Sequence, residues 1–427
     1  MLDIKLIRKD RKKIEEKLQT KDPAISLDIV CELDEKIRDL KTQVEQLKSK
    51  RNEASQKIGE LKRSGKDSSE ILREVAGYGD EIKNLDQQLH ESETKFNQAI
   101  ASIPNIPRDE IMVSQDPRDN VILKEYGKKP TFDFTPKNHV ELNESLNLFD
   151  FKRGAKMSGA GWPVYRGWGA RLEWALINYM LEIHIKNGFT QWIVPNLVRP
   201  ETMYDASLLP KFESQLFRIQ DEDYHLYLIP TAEVALNGVH IDETIAEEEL
   251  PLKYVSYSPC FRREAGAAGS QERGLIRVHQ FNKVEMFCYS KPEDSMKVFD
   301  QMMASAEEVL QGLGIHYRNA LLVTGDMSFA SACTIDIEVW LPGQNRYYEV
   351  SSVSNCTDYQ ARRSNTRFRR KEDNKLDFVH TLNGSGVATS RLMVALLENN
   401  QNSDGSVNLP PVLQSRLGGL KKLEPVA

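Results

Sequence analysis

Arg262 and Glu264 stand two residues apart in Cys260-Phe-Arg-Arg-Glu264, a spacing that on an extended strand projects both side chains from one face. A Gly/Ala-rich and then polar loop follows from Ala265 to Gly274. Leu275-Ile-Arg-Val-His-Gln-Phe-Asn-Lys-Val-Glu285 then reads as a return strand carrying Arg277 and Glu285. Two guanidinium groups and two carboxylates on a strand, loop and strand suit a phosphate-rich ligand, because a planar guanidinium binds phosphate oxygens through paired hydrogen bonds. A surface ion pair would use the same residue types, so this spacing alone does not decide.

A second group lies near the C-terminus. His380-Thr-Leu-Asn-Gly-Ser-Gly386 leads into a helix-like run from Val387 to Glu398, with Arg391 in its early turns. Glycines there would let the backbone approach a ligand, while the helix N-terminus and Arg391 would favour an anion. The pattern matches neither G-x-G-x-x-G nor the Walker A sequence, which disfavours a Rossmann or P-loop nucleotide site.

The elements that position these residues read as α+β. Apolar or small residues at Leu33, Ile37, Leu40, Val44, Leu47, Ala54, Ile58 and Leu61 alternate four and three apart, with Arg51 breaking the seam. After Arg63-Ser-Gly-Lys-Asp-Ser-Ser69 a second run continues to Ile103. Two long helices joined by so short a turn must fold back antiparallel, as a coiled-coil arm about 50 Å long at 1.5 Å per residue. Pro104 and Pro107 end the second helix, so the expected division is an arm over 1–103, a linker over 104–150 and a catalytic domain over 151–427. In that last segment helix signals at Leu172 to Lys186 and Ser295 to Leu313 are closed by Gly188 and Gly314. Period-two strands include Ile335 to Leu341 and Tyr347 to Val353, a hairpin. Without regular βαβ alternation, an antiparallel sheet flanked by helices is expected.

The net charge of the 427 residues is -6, yet residues 1–65 hold 17 Lys and Arg against 13 Asp and Glu, a surplus of +4 at one end. Five cysteines without a C-x-x-C pair suit reduced, buried thiols. No stretch approaches the roughly 18 apolar residues that cross a bilayer, so a cytoplasmic protein is expected.

Gly188-Phe-Thr-Gln-Trp-Ile-Val-Pro195, Phe261-Arg-Arg-Glu264 and Gly384-Ser-Gly-Val-Ala-Thr-Ser-Arg391 resemble motifs 1, 2 and 3 of class II aminoacyl-tRNA synthetases, in that order. Within the class, Thr231-Ala-Glu233, Arg273-Gly-Leu-Ile-Arg-Val-His-Gln-Phe281, Glu349-Val-Ser-Ser352 and His380 to Gly386 resemble the seryl-tRNA synthetase family. The heptad hairpin matches as well, so the resemblance spans nearly the whole chain.

That resemblance implies an ATP-dependent ligase acting on L-serine and tRNA(Ser), with the tRNA for selenocysteine as a further acceptor. It implies Arg262, Glu264, Glu349 and Arg391 as catalytic residues. Arg262, Arg263, Glu264, Val278, Glu349, Val350, Ser351, Ser352 and Arg391 would bind ATP, with Arg262 on the α-phosphate and Arg391 on the γ-phosphate. Glu349 and Ser352 would hold Mg²⁺. On a straight strand these two would face opposite sides, so a bend or bulge is expected within 349–352. Serine would meet Thr231, Ala232, Glu233, Glu285, Asn383 and Ser385, with Thr381 as partner of its hydroxyl. Ala232 departs from the serine many relatives carry there.

No Cys and His cluster has convincing zinc-ligand spacing, so no zinc is expected. RNA contacts are expected at Lys48, Lys50, Arg51, Lys57, Lys62 and Arg63 of the arm and at Arg273 and Arg277, because phosphate binding needs only reach and charge. The basic run Arg362 to Lys371 could guide the RNA end. The family forms homodimers through motif 1. Two other readings stay open at this point: a serine-activating ligase that loads a carrier protein, and a non-catalytic coiled-coil RNA-binding relative.

Overall fold

In the computed structural model, which describes residues 1–264 and 274–426, the chain forms two compact units, Leu2–Pro104 and Asn105–Ala427, the latter with Met1. The first unit is dominated by helices α1 (Asp28–Arg63) and α2 (Ser69–Ala101), which pair with each other. The heptad pattern is realised. Ile37, Leu40, Val44 and Ala54 of α1 and Ile82 of α2 are buried, while Leu47, Ile58 and Leu61 are half-buried. Gly65, in the left-handed region at φ +67°, ends α1, and Asp67 accepts the Ser69 N–H at 2.9 Å to start α2. Ion pairs Lys41–Glu93 at 2.8 Å and Lys48–Asp86 at 3.7 Å cross between the helices in exposed positions, where each contributes at most about 1 kcal/mol.

The second unit is built on an eight-stranded sheet. Its strands are β1 (Val121–Tyr126), β2 (Thr190–Trp192), β3 (Leu252–Phe261), β4 (Gln280–Ser290), β5 (Tyr317–Leu321), β6 (Cys333–Leu341), β7 (Arg346–Asn355) and β8 (His380–Ala388), in the spatial order β1-β5-β6-β7-β8-β4-β3-β2. Every pairing is antiparallel except β2 with β3. The expected 104–150 linker is thus partly structural, because β1 forms a sheet edge on β5.

Helices α3 (Trp168–Lys186), α5 (Ser295–Leu313) and α7 (Thr389–Asn399) share one apolar core with the sheet; two short helices, α4 (Ala232–Asn237) and α6 (Ala361–Ser364), precede α5 and α7. Val284, Met286 and Cys288 of β4, Ile337 and Val339 of β6, and Val353 and Leu382 belong to that core. Strand alternation sends their neighbours to the opposite face. There Lys283, Glu285, Ser352, Ser354, Asn383 and Ser385 line a cavity.

Three local expectations change. Strand β3 ends at Phe261 and β4 begins at Gln280, so Arg262, Glu264 and Arg277 lie on the connection rather than on strands. Glu264 has φ +47°, which breaks extended geometry. The Gly-rich segment 380–386, expected to lead into a helix from Val387, belongs to strand β8, which runs on to Ala388, and the helix starts only at Thr389. Its glycines serve packing: a Cβ at Gly386 would lie 2.2 Å from Nε2 of His184, and one at Gly384 2.9 Å from a Val353 methyl. Among the described residues no helix is long and apolar enough to cross a membrane. Cys260, Cys288, Cys333 and Cys356 are buried, Cys31 is half-buried, and none of the five forms a disulfide.

Candidate active site

The bulge expected in 349–352 is present. In the β6–β7 ladder Ile337 faces Ser351 and Glu338 faces Glu349, so Val350 is the extra residue. The slip returns Glu349 to the face that carries Ser352, and both line one cavity. Val350 instead enters the core, and Ser351 is buried with its hydroxyl directed to the Ser385 carbonyl. Neither side chain reaches the cavity, so only their backbone could meet a nucleotide. A second irregularity lies in β8 opposite Val284, where the register jumps from Ser385–Glu285 to Ala388–Lys283. Val387, buried within it, has φ +94°, a conformation that costs a β-branched residue on the order of 1–3 kcal/mol.

Two cavities open on this face. The smaller, about 50 Å³, is lined by Arg262, Glu264, Arg277, Val278, Phe281, Lys283, Glu349, Ser385 and Arg391, among others. Its four basic side chains outnumber its two acids, a balance suited to a polyphosphate. Arg391, in the first turn of α7, donates from Nη1 to Oε2 of Glu349 at 3.0 Å and to its carbonyl at 3.1 Å. Arg277 pairs with Glu264 at 2.8 Å. Arg262 is aimed by three contacts. Its Nε donates to the Pro230 carbonyl at 3.3 Å, its guanidinium lies 5.1 Å from the Phe281 ring centre, and its N–H meets the His279 carbonyl at 2.9 Å.

The larger cavity, about 320 Å³, is lined by Thr231, Glu233, Glu285, Ser352, Asn383 and Ser385 together with Ser328, Ser354, Cys356 and two phenylalanines. Arg262, Lys283, Glu349 and Ser385 line both cavities. Thr231 caps α4 by accepting the Glu233 N–H at 3.1 Å, which fixes the start of that helix at the cavity wall. Glu233 accepts from Asn383 Nδ2 at 3.1 Å and from Gln360 Nε2 at 2.7 Å. Burial, and next the Glu285 charge, raise its carboxyl to about 7. Glu285 is ion-paired with Lys283, and both are buried. Asp336, opposite Ser352 in the ladder, is pushed well above the carboxylate range by burial and then by Glu349.

Not every sequence-designated residue reaches the site. Thr381 is fully buried and gives its hydroxyl hydrogen to Gln360 Oε1 at 2.7 Å; it lines neither cavity, so it is not placed to meet a substrate hydroxyl directly. Ala232 packs into a separate apolar cluster, and the exposed Arg263 lines neither cavity. Arg273 falls outside the described residues. On the arm, Lys48, Lys50, Lys57, Lys62 and Arg63 are exposed, whereas Arg51 is half-buried in the seam. The run 362–371 is mostly committed internally. Arg362 pairs with Asp358, Arg370 with Glu293 and Asp377, Lys371 with Glu248, and Arg363 binds the carbonyls of Tyr204 and Leu209.

Lys283, Phe281 and Gln360 join the site although sequence reasoning did not single them out. The first two were reachable, because period two on β4 brings Phe281 and Lys283 to the face of Glu285. Gln360 carried no such signal.

The chain is similar to known proteins along its whole length. The family description "Seryl-tRNA synthetase N-terminal domain" matches residues 1–107, and "tRNA synthetase class II core domain (G, H, P, S and T)" matches residues 212–400. A serine–tRNA ligase of Chlamydia pneumoniae is 49% identical over 425 residues, covering 100% of this chain and 99% of the relative. The crystal structure of seryl-tRNA synthetase from Pyrococcus horikoshii complexed with ATP superimposes with a TM-score of 0.94 at 37% identity, covering 100% of both chains. That of the cytoplasmic serine–tRNA ligase from Naegleria fowleri with AMP gives 0.88 at 29% identity, over 100% of this chain and 99% of the other. With the arm, the antiparallel sheet and the charged double cavity in place, this chain belongs to the seryl-tRNA synthetases, a family of class II aminoacyl-tRNA synthetases.

Proposed function

We propose that this chain joins L-serine to tRNA(Ser) in two steps. The serine carboxylate attacks the α-phosphorus of ATP, forming seryl-adenylate and releasing pyrophosphate. The terminal ribose hydroxyl of the tRNA then takes the seryl group, and AMP leaves. The observation that carries this reading is the sharing of Arg262, Lys283, Glu349 and Ser385 by a cation-rich cavity and a larger polar one. A phosphate chain reaching the first and an amino acid in the second would meet at those four side chains.

In this arrangement Arg262, clamped between Pro230 and Phe281, holds the α-phosphate and opposes the charge that grows on its oxygens. Arg391 is anchored to Glu349 and serves the outer phosphates, with Arg277 and Glu264 at the mouth. Val278 and Phe281 offer apolar surface to the nucleotide. Glu233, with Glu285 and Asn383 beside it, receives the serine ammonium. Ser385, which lines both cavities, replaces Thr381 as the candidate partner of the substrate hydroxyl.

The donor set also fits Mg²⁺. Glu349 and Ser352 present hard oxygens to one cavity, and Asp336, across the ladder from Ser352, has a buried Oδ1 with no hydrogen-bond partner among the described residues. Held by Glu349 and Ser352, the ion would neutralise phosphate charge.

The exposed lysines of the arm supply a sequence-independent grip on RNA. We assign tRNA(Ser) as the partner and the tRNA for selenocysteine as a second acceptor to be tested. A homodimer through the motif 1 region is supported by a large exposed apolar side chain there: Ile193 is 91% exposed. The cytoplasm is the compartment we assign, in keeping with five cysteines of which none forms a disulfide. Amino-acid-dependent ATP–pyrophosphate exchange, run across the amino acids, tests the reading. Serine should be clearly preferred; equal exchange with alanine or threonine would overturn the pocket assignment.

A further inference from the structure

Gln360 stands immediately before α6, is fully buried, and has no part in the roles assigned above. Its side-chain amide makes three contacts. Nε2 donates to Oε1 of Glu233 at 2.7 Å and to the Ala206 carbonyl at 3.3 Å, while Oε1 accepts the Thr381 hydroxyl at 2.7 Å. The amide's orientation follows from its neighbours. The Ala206 carbonyl only accepts, so the NH₂ faces it and Glu233, and the oxygen is left for the Thr381 hydroxyl. Asn383 Nδ2 reaches the same Glu233 oxygen at 3.1 Å. One oxygen of Glu233 thus carries both side-chain donors, and the other remains for a ligand in the cavity that Glu233 lines.

We propose that Gln360 is a positioning residue for the amino-acid substrate: by tying the Thr381 hydroxyl to Glu233 it fixes that carboxylate, as an anion, with its second oxygen left for the substrate ammonium. This rests on the serine pocket described above. It also gives Thr381 a part in the site without touching the cavity, since its hydroxyl sets the amide and the amide sets the acid.

The surrounding charges define what Gln360 must offset. Glu285 and Lys283 face Glu233 from β4, and Arg262 faces it from the end of β3. The Cys356 thiol lies behind Asn383, whose Nδ2 is 3.5 Å from the sulfur. Burial and Glu285 favour the neutral acid, whereas the Gln360 hydrogen bond, Lys283 and Arg262 favour the anion. Loss of the Gln360 donor therefore moves the acid further upward. Fewer molecules then carry the anion at neutral pH, and the substrate ammonium is held less well.

The test uses full-length protein and serine-dependent ATP–pyrophosphate exchange between pH 6 and 9, with Gln360→Leu, Gln360→Glu and Thr381→Val. Gln360→Leu should raise the KM for serine roughly tenfold or more, consistent with loss of a hydrogen bond to a charged group. The KM for ATP should stay within about twofold, and the acidic limb of kcat/KM for serine should move to higher pH. Thr381→Val should move both readouts in the same direction by less. If Gln360→Leu fails to fold, Gln360→Glu decides. It keeps the shape but sets a second carboxyl against Glu233, and it should shift the limb upward as well. Equal rises in both KM values, or a fall in kcat with the limb unmoved, would overturn the proposal. A wild-type enzyme without serine preference would instead overturn the pocket itself.

Discussion

Arg391 and Glu349 hold each other at 3.0 Å, so each fixes the other's direction before a nucleotide is bound. Arg391→Ala should lower exchange by roughly 10²–10³, the scale for removing one preorganised partner of developing charge. Arg391→Lys should recover little of it, because an ammonium lacks the planar fork; steady-state exchange kinetics check both. Glu233 gives a pH signature. Its carboxyl titrates at about 7, so below that pH it is mostly protonated, and an arriving ammonium must expel the proton. Serine binding should weaken as pH falls through 7. Calorimetric heats at pH 6.5 should vary with the buffer's ionisation enthalpy, and those at pH 8.5 should not. At this scale the motifs brought Arg262, Glu285, Glu349, Asn383 and Arg391 to the walls of the two cavities, whereas the motif members Ala232 and Arg263 line neither. Thr381 shares the parity of Asn383 and Ser385 along β8 yet sits beyond the cavity against Gln360. The sequence was silent on Gln360, whose partners Glu233 and Thr381 are distant along the chain.

Two strands reach the site only by breaking their own regularity. An irregularity within 349–352 of β7 was legible, because Glu349 and Ser352 cannot otherwise share a face, although not that Val350 is the extra residue. The slip in β8 was not, because glycines carry no side chain whose alternation would mark a strand or its register. Their packing partners now explain them. Gly386 lies under His184, whose Nδ1 meets Ser305 Oγ at 2.7 Å and whose ring, buried, titrates at about 4. Gly386→Ala should destabilise the protein by about 1–3 kcal/mol through overpacking, read as a lower denaturant midpoint. His184 adds a pH term. With its folded value below that of the free side chain, stability should be lost as pH falls from about 6.5 towards 4, because only the unfolded chain takes the proton there. Comparing denaturant midpoints of wild type and His184→Leu at pH 7.5 and 4.5 isolates that contribution: the variant should lose less on acidification.

For the whole molecule, the heptads fixed the arm almost residue by residue, since a 36-residue helix has no other way to bury Ile37, Leu40 and Val44. The 104–150 segment was misread as a linker because β1 is exposed along its length and carries no burial alternation. Deleting residues 28–102 should leave serine-dependent exchange largely intact and cripple tRNA charging; equal loss of both would contradict the division of labour between the units. Ile193→Asp, placed at a side chain 91% exposed, should yield monomers in sedimentation if the motif 1 region joins two copies. The common boundary of the two cavities has a pharmacological corollary. A compound mimicking the mixed anhydride would engage Arg262, Lys283, Glu349 and Ser385 at once, and linking its two halves into one molecule spares the second half its own loss of translational freedom. Escape by substitution at any of these four positions would damage the handling of nucleotide and amino acid together, so resistance to such a compound should arise elsewhere, through expression or uptake.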